Sequence, residues 1–184
     1  MGRKQLSLAH RIYLELRAAY HPNAAVSAIS KTEATRILSN LLAPPGLGFC
    51  VVGITPAALD AFHTRDERQR GQWWRARVHR AHLWDRAETV VCVLAGPKLD
   101  ANTLLREWRK RDICILALSS ENKSISTKKF YPFPDREKQF FPNASVGYRL
   151  KIDPEAALLW DMQETKPPHL IPVADFKAQH ADAS

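Results

Sequence analysis

"TVVCVLAGPKLDANTLLREWRKRDICILALS", residues 89–119, holds two apolar runs, "TVVCVLA" (89–95) and "DICILALS" (112–119), on either side of the charged stretch "ANTLLREWRKR". Short runs rich in β-branched residues and bounded by turn formers predict buried strands. Asp100, ahead of the charged stretch, supplies a carboxylate to cap a helix. Two apolar strands separated by one helix predict a crossover with parallel pairing, and hence an α/β fold with a mixed sheet flanked by helices.

Upstream, "GFCVVGI" (48–54) predicts another buried strand, which runs into Thr55-Pro56, an N-cap followed by a favourable first helical residue, and then into "AALDAF". At the start of the chain Leu6, Ala9, Ile12, Tyr13, Leu16, Ala19 and Tyr20 recur at three- and four-residue spacing, which predicts an amphipathic helix over 5–20. Ser30 and Glu33 form a capping-box pattern for a second helix through Ile37, Leu38 and Leu41, stopped by Pro44-Pro45. Downstream, residues 119–145 mix Ser, Lys, Pro and aromatics without steady periodicity, so a long loop with room for a hairpin is expected. "VGYRLKI" (146–152) predicts a further strand, and Asp153-Pro154-Glu155 opens a short helix through Trp160. The length predicts one domain over 1–166, with helices in 1–45 and the sheet-containing core in 46–166, followed by a partly disordered tail over 167–184.

Of the 184 residues 45% are hydrophobic, a globular composition, and the net charge of +8 favours a polyanionic partner such as nucleic acid, a nucleotide or an anionic membrane surface. Cys50, Cys92 and Cys114 each sit inside an apolar run without a second ligand at metal spacing, which predicts buried thiols in a reducing compartment rather than zinc. A cytoplasmic protein is expected. No run reaches membrane-spanning length, so no integral membrane segment is expected, and any membrane contact would be peripheral, at the inner membrane, through the basic surface.

The basic residues concentrate in "RDERQRGQWWRARVHRAH" (65–82), with six arginines, two tryptophans and two histidines and no lysine. Were residues 71–86 helical, Arg75, His79, His82 and Arg86 would share one face, with Trp73, Arg77, Arg80 and Trp84 on the next and Trp74, Val78 and Ala81 inward. Guanidinium groups pair bidentately with phosphate and stack on rings, which an ammonium does less well. Gly71 at the expected helix start lets backbone approach an anion. Arg65, Arg68, Arg70, Gly71, Gln72, Arg75, Arg77, His79 and Arg80 are therefore the candidate nucleotide- or DNA-binding residues. The alternative is a solvated arginine face whose tryptophans fill gaps in the core.

A second cluster, Arg106, Arg109, Lys110 and Arg111, falls at the end of the next helix, where cations complement the negative helix terminus. Phe130, Tyr131, Phe133, Phe140 and Phe141 in the long loop are either stacking platforms for single strands or core residues. The sequence holds no phosphate loop of the Walker type, zincin helix or nucleophile elbow. Asp100 with Glu121-Asn122-Lys123 has the order of the carboxylates and lysine of an Mg²⁺-dependent nuclease of the restriction type. Asp66 and Glu67, set among arginines, are further candidates for a base or metal ligand, or for ion pairing.

The runs "GLGFCVVGITPAALDAF" (46–62) and "GQWWRARVHRAHLWDRAETVVCVLAGP" (71–97) resemble the plasmid fertility-inhibition factors. That resemblance implies a ParB/sulfiredoxin-like fold, ATP as a cofactor, DNase and ATPase activity, and a block on DNA transfer through type IV secretion in conjugation. A helix-start motif of the ParB type, followed by a helical turn and a strand, is similar to Gly71-Gln72-Trp73-Trp74, Arg75-Ala76-Arg77 and Thr89-Val90-Val91-Cys92-Val93. Gln72 replaces an acid there and the tryptophans replace arginines, and Asp66-Glu67-Arg68-Gln69-Arg70 upstream offers the missing charges. On this reading Glu67, Arg68 and Arg75 are the catalytic candidates, with Mg²⁺ as the natural metal for phosphoryl chemistry. The rival is a non-enzymatic basic module that binds DNA or an acidic component of the secretion machinery.

Overall fold

The computed structural model describes residues 3–23, 25–42, 50–63, 77–134, 154–165 and 169–181. In chain order they form α1 (Arg3–Ala19), α2 (Lys31–Leu42), β1 (Cys50–Ile54), α3 (Pro56–His63), β2 (Val78–His82), α4 (Arg86–Ala95), α5 (Ala101–Arg111) and β3 (Ile113–Leu118). A 3₁₀ helix (Asn122–Thr127), β4 (Lys129–Pro132), α6 (Pro154–Thr165), β5 (Ile171–Pro172) and α7 (Val173–Ala181) follow. The fold is mixed α/β, with one five-stranded sheet in the order β2-β3-β1-β4-β5. Contacts divide the chain into two compact units: Met1–Phe49 with Trp84–Asp112, and Cys50–Leu83 with Ile113–Ser184. The division does not follow residue 45, because Trp84–Asp112 belongs with the N-terminal helices.

The first unit is helical. The stripe expected on α1 buries Ala9, Tyr13 and Leu16 against Ala34, Leu38 and Leu42 of α2, Val90, Val93 and Leu94 of α4, and Leu104 and Trp108 of α5. The capping box is present: Glu33 N–H donates to Ser30 Oγ at 3.1 Å and Ser30 N–H to Glu33 Oε2 at 3.2 Å. Residues 89–95, expected as a strand, are instead the body of α4. Asp85 caps this helix by accepting from Ala87 N–H at 2.7 Å, and the buried residues Thr89, Val90, Val93 and Leu94 follow helical spacing. One consequence is that Cys92, expected to be buried, is exposed on α4, whereas Cys114 is fully buried on β3.

Asp100 caps α5, accepting from Asn102 N–H at 2.9 Å, Thr103 N–H at 3.1 Å and Thr103 Oγ1 at 2.6 Å. The Thr103 hydroxyl, and then the Thr103 amide, hold this carboxyl below the ordinary carboxylate range. A carboxyl depressed in the folded state adds stability above its unfolded value and loses it as pH falls through the folded one. Asp100→Ala should therefore lower stability at neutral pH, with the difference from wild type shrinking as acid protonates the cap. Denaturation curves at stepped pH check this, and a difference independent of pH would contradict it.

The second unit carries the sheet. β1 and β3 are parallel (Val51 opposite Cys114, Ile54 opposite Leu116), with a register shift between Val51 and Ile54. Parallel pairing is as expected, but its members are β1 and β3 rather than 89–95 and 112–119. β2 pairs antiparallel with β3, from Val78 opposite Leu118 to His82 opposite Cys114, and β4 pairs antiparallel with β1. Ile54, Ala58, Phe62, Ile115 and Leu159 are buried, with Phe62 edge-on to Trp160 at 5.1 Å. Gly53 lies opposite Pro132, so close to β4 that a Cβ there would overlap the Tyr131 carbonyl oxygen and the Phe130 ring.

The expected 119–145 loop contains the 3₁₀ helix and β4. Within the tail expected to be partly disordered, β5 pairs with β4 and α7 buries Phe176 edge-on to Phe130 at 5.5 Å. The strand expected over 146–152 lies outside the described residues. Among those residues, no helix is long and apolar enough to cross a membrane.

Candidate functional site

In open α/β sheets ligands bind beyond the carboxyl ends of the parallel strands. Here that end is formed by Thr55 after β1 and Ser119 after β3. Thr55 is fully buried: its N–H donates to Leu116 O at 2.8 Å and its Oγ1 accepts from Ala58 N–H at 3.3 Å, capping α3 as Thr55-Pro56 predicts. The Thr55 hydroxyl proton goes to Glu121 Oε2 at 2.7 Å, and the same oxygen accepts from Leu118 N–H at 3.0 Å. One carboxylate thus clasps the ends of both parallel strands.

Beside this clasp lies Arg77, in the described part of the arginine-rich segment. Ser119 donates twice to the Arg77 carbonyl, from N–H at 2.8 Å and from Oγ at 2.9 Å. Residues 78–82, expected to be helical, form β2 instead. Val78 and Ala81 are both buried, as the expected inward face requires, but in a strand they point to opposite faces. Arg80 and His82 share one face and His79 the other, so His79 does not group with His82 as a helix would group them. Arg77 and His79 are exposed, and Arg80 is half-buried.

Arg65, Glu67, Arg68, Arg70, Gly71, Gln72 and Arg75 lie outside the described residues, as do Asp66, Trp73 and Trp74. The strand that the ParB-type match implies over Thr89–Val93 is α4. Phe130 and Phe133 are core residues, not stacking platforms. In the second basic cluster, Glu107 pairs with Lys110 at 3.2 Å and with Arg106 at 3.5 Å, and Arg111 reaches Cys92 Sγ at 3.6 Å.

The restriction-type carboxylates have other duties. Asp100 is a helix cap in the helical unit and Glu121 is the clasp in the sheet unit. Among the described residues there is no group of three or more His, Cys, Asp or Glu that could hold a metal ion. Removing Glu121 strands the buried Thr55 hydroxyl and the Leu118 amide, so Glu121→Ala should cost about 2–3 kcal/mol. Glu121→Gln keeps an acceptor and loses only charge assistance, about 1 kcal/mol. Equal losses in urea denaturation would show that the clasp does not depend on the acceptor oxygen.

The clasp was not legible in the sequence, because its partners are separated by 66 positions and no local pattern links them. Thr55-Pro56 signalled the cap, but nothing marked its hydroxyl as a donor to Glu121. No family model, curated protein or solved structure matches the chain.

Proposed function

We propose that the chain binds the phosphates of DNA and of ATP with its arginine segment, beside the carboxyl end of the β1–β3 pair, and that this serves an ATP-linked DNase acting against DNA transfer in conjugation. The observation that supports the location is the pair of hydrogen bonds from Ser119 to the Arg77 carbonyl, which ties Arg77 of the arginine-rich segment to the edge where α/β sheets take ligands. The activity itself follows from the resemblance of 46–62 and 71–97 to fertility-inhibition factors.

On this reading Arg65, Arg68, Arg70, Arg75, Arg77 and Arg80 hold phosphate oxygens, and Gly71 and Gln72 bring backbone close. Glu67 takes the proton of the attacking water as the new P–O bond forms and the old one breaks, while Arg68 and Arg75 neutralise charge gathering on the phosphoryl oxygens. ATP, when bound, supplies the free energy of its hydrolysis.

The test is incubation of the purified protein with labelled single- and double-stranded DNA, with and without ATP, in Mg²⁺ or EDTA, alongside Glu67→Ala and Arg75→Ala. Cleavage should disappear in folded Glu67→Ala, and Arg75→Ala should weaken DNA binding about tenfold or more. Intact DNA under every condition removes the DNase and leaves the basic segment as a docking surface for DNA or for an acidic protein of the secretion machinery.

A further inference from the structure

Between α1 and α2 the chain turns back in a loop held by its own hydrogen bonds. Ala28 N–H donates to Ala19 O at 2.9 Å, His21 N–H to Ser27 Oγ at 3.0 Å, Ser27 Oγ to Ile29 O at 2.6 Å and Ala25 N–H to Asn23 Oδ1 at 3.0 Å. A loop braced in this way presents its side chains with little entropy left to lose on binding. It borders a cleft of about 290 Å³ whose walls are Tyr20, His21, Pro22 and Ile29, with Ser27, Ser30 and Lys31 as its polar residues. That volume is near the lower bound of about 300 Å³ for small-molecule sites, enough for one ring and a small polar group.

The lining is rich in donors and has few side-chain acceptors to offer. His21 Nδ1 accepts from Asn23 N–H at 3.1 Å, so the neutral ring carries its proton on Nε2, which has no partner among the described residues. The Tyr20 hydroxyl and the Lys31 ammonium likewise have no hydrogen-bond or ion-pair partner among the described residues. The two lining serine hydroxyls are already engaged: Ser27 as above, and Ser30 through Glu33, accepting from its N–H and donating to Oε2 at 2.8 Å. Glu33, held below the ordinary carboxylate range first by the Ser30 hydroxyl and then by the Ser30 amide, serves the helix start itself, so the pull on an anion comes from side chains and not from the capped amides. Lys31 is the first residue of α2, at the positive end of the peptide dipoles, an unfavourable place for a cation that an incoming carboxylate would relieve.

We propose that this cleft binds a small carboxylate with a flat apolar body, the carboxylate taken by Lys31 and His21 and the body laid against Tyr20, Pro22 and Ile29. This site stands apart from the phosphate reading above and does not rest on it.

The test titrates sodium benzoate into the ¹⁵N-labelled full chain and follows amide shifts. Saturable shifts confined to residues 20–31 are expected, with a Kd below about 10 mM. Benzamide, which has the same shape without the charge, should bind at least about tenfold more weakly, and Lys31→Gln should weaken benzoate by about the same factor with Tm unchanged or slightly raised. His21→Ala tests the second donor, while Lys31→Gln, at an exposed helix position, keeps the test decisive if the loop is disturbed. Absence of saturable shifts, equal affinity for benzamide, or a Lys31→Gln variant that binds like wild type overturns the proposal.

Discussion

Gly53→Ala is expected to lower stability by about 3 kcal/mol or more, and to leave little folded protein if the whole sheet unit is only marginally stable. Gly53 lies where β1 passes β4, and a methyl group there meets the Tyr131 carbonyl oxygen and the Phe130 ring, with Cε2 at 2.9 Å. Neither can give way cheaply. The carbonyl belongs to the backbone of a paired strand, and the Phe130 ring is fully buried and packed edge-on against Phe176. Moving β4 outward would also disturb β5 and the contact of Val173 N–H with Lys128 O at 2.9 Å. Urea denaturation followed by far-UV circular dichroism measures the loss, and a change below about 1 kcal/mol would mean that the strand approach is looser than the geometry implies.

Trp108→Ala should cost about 4 kcal/mol, the range for emptying an aromatic site in a core. Trp108 is 1% exposed and packs in the cluster that joins α1, α2, α4 and α5. Its indole Nε1, however, is buried without a hydrogen-bond partner among the described residues. That donor is a standing cost, since an unmet buried polar group forfeits about 1–3 kcal/mol of solvation. Trp108→Phe therefore trades lost contact area against relief of the unmet donor and should fall within about 1 kcal/mol of wild type. If both substitutions destabilised equally, the indole nitrogen would have to be interacting favourably after all.

The elements whose signals are local could be read from the sequence. Ser30 with Glu33, Thr55-Pro56 and Asp100 with Thr103 carry their partners within four residues, and each cap is found in place. The two misread segments fail for opposite reasons. "TVVCVLA" has the composition of a strand, yet Asp85 caps it from upstream and its buried residues repeat with a helical period, so the cap outweighs β-propensity. "VHRAH" spaces Val78 and Ala81 like a helix, but its backbone is paired to β3, more than thirty positions on, and tertiary pairing overrides the local pattern. Of the candidate site, the arginine composition was legible and its attachment to Ser119 was not, because that contact spans 42 positions.

The interleaving of the two units also sets a timetable for synthesis. α1 and α2 emerge first, yet much of their buried face is covered by α4 and α5, which end at Arg111. At roughly 5–20 residues per second, the seventy or so residues after Leu42 take on the order of 4–14 s to follow. β1 waits similarly for β3, having first been passed by β2, which reaches the ribosome exit before its own partner exists. For those seconds the apolar stripe of α1 and the strand Cys50–Ile54 are both uncovered on the nascent chain, so a chaperone that holds apolar segments should associate most strongly with chains stalled between residues 55 and 110.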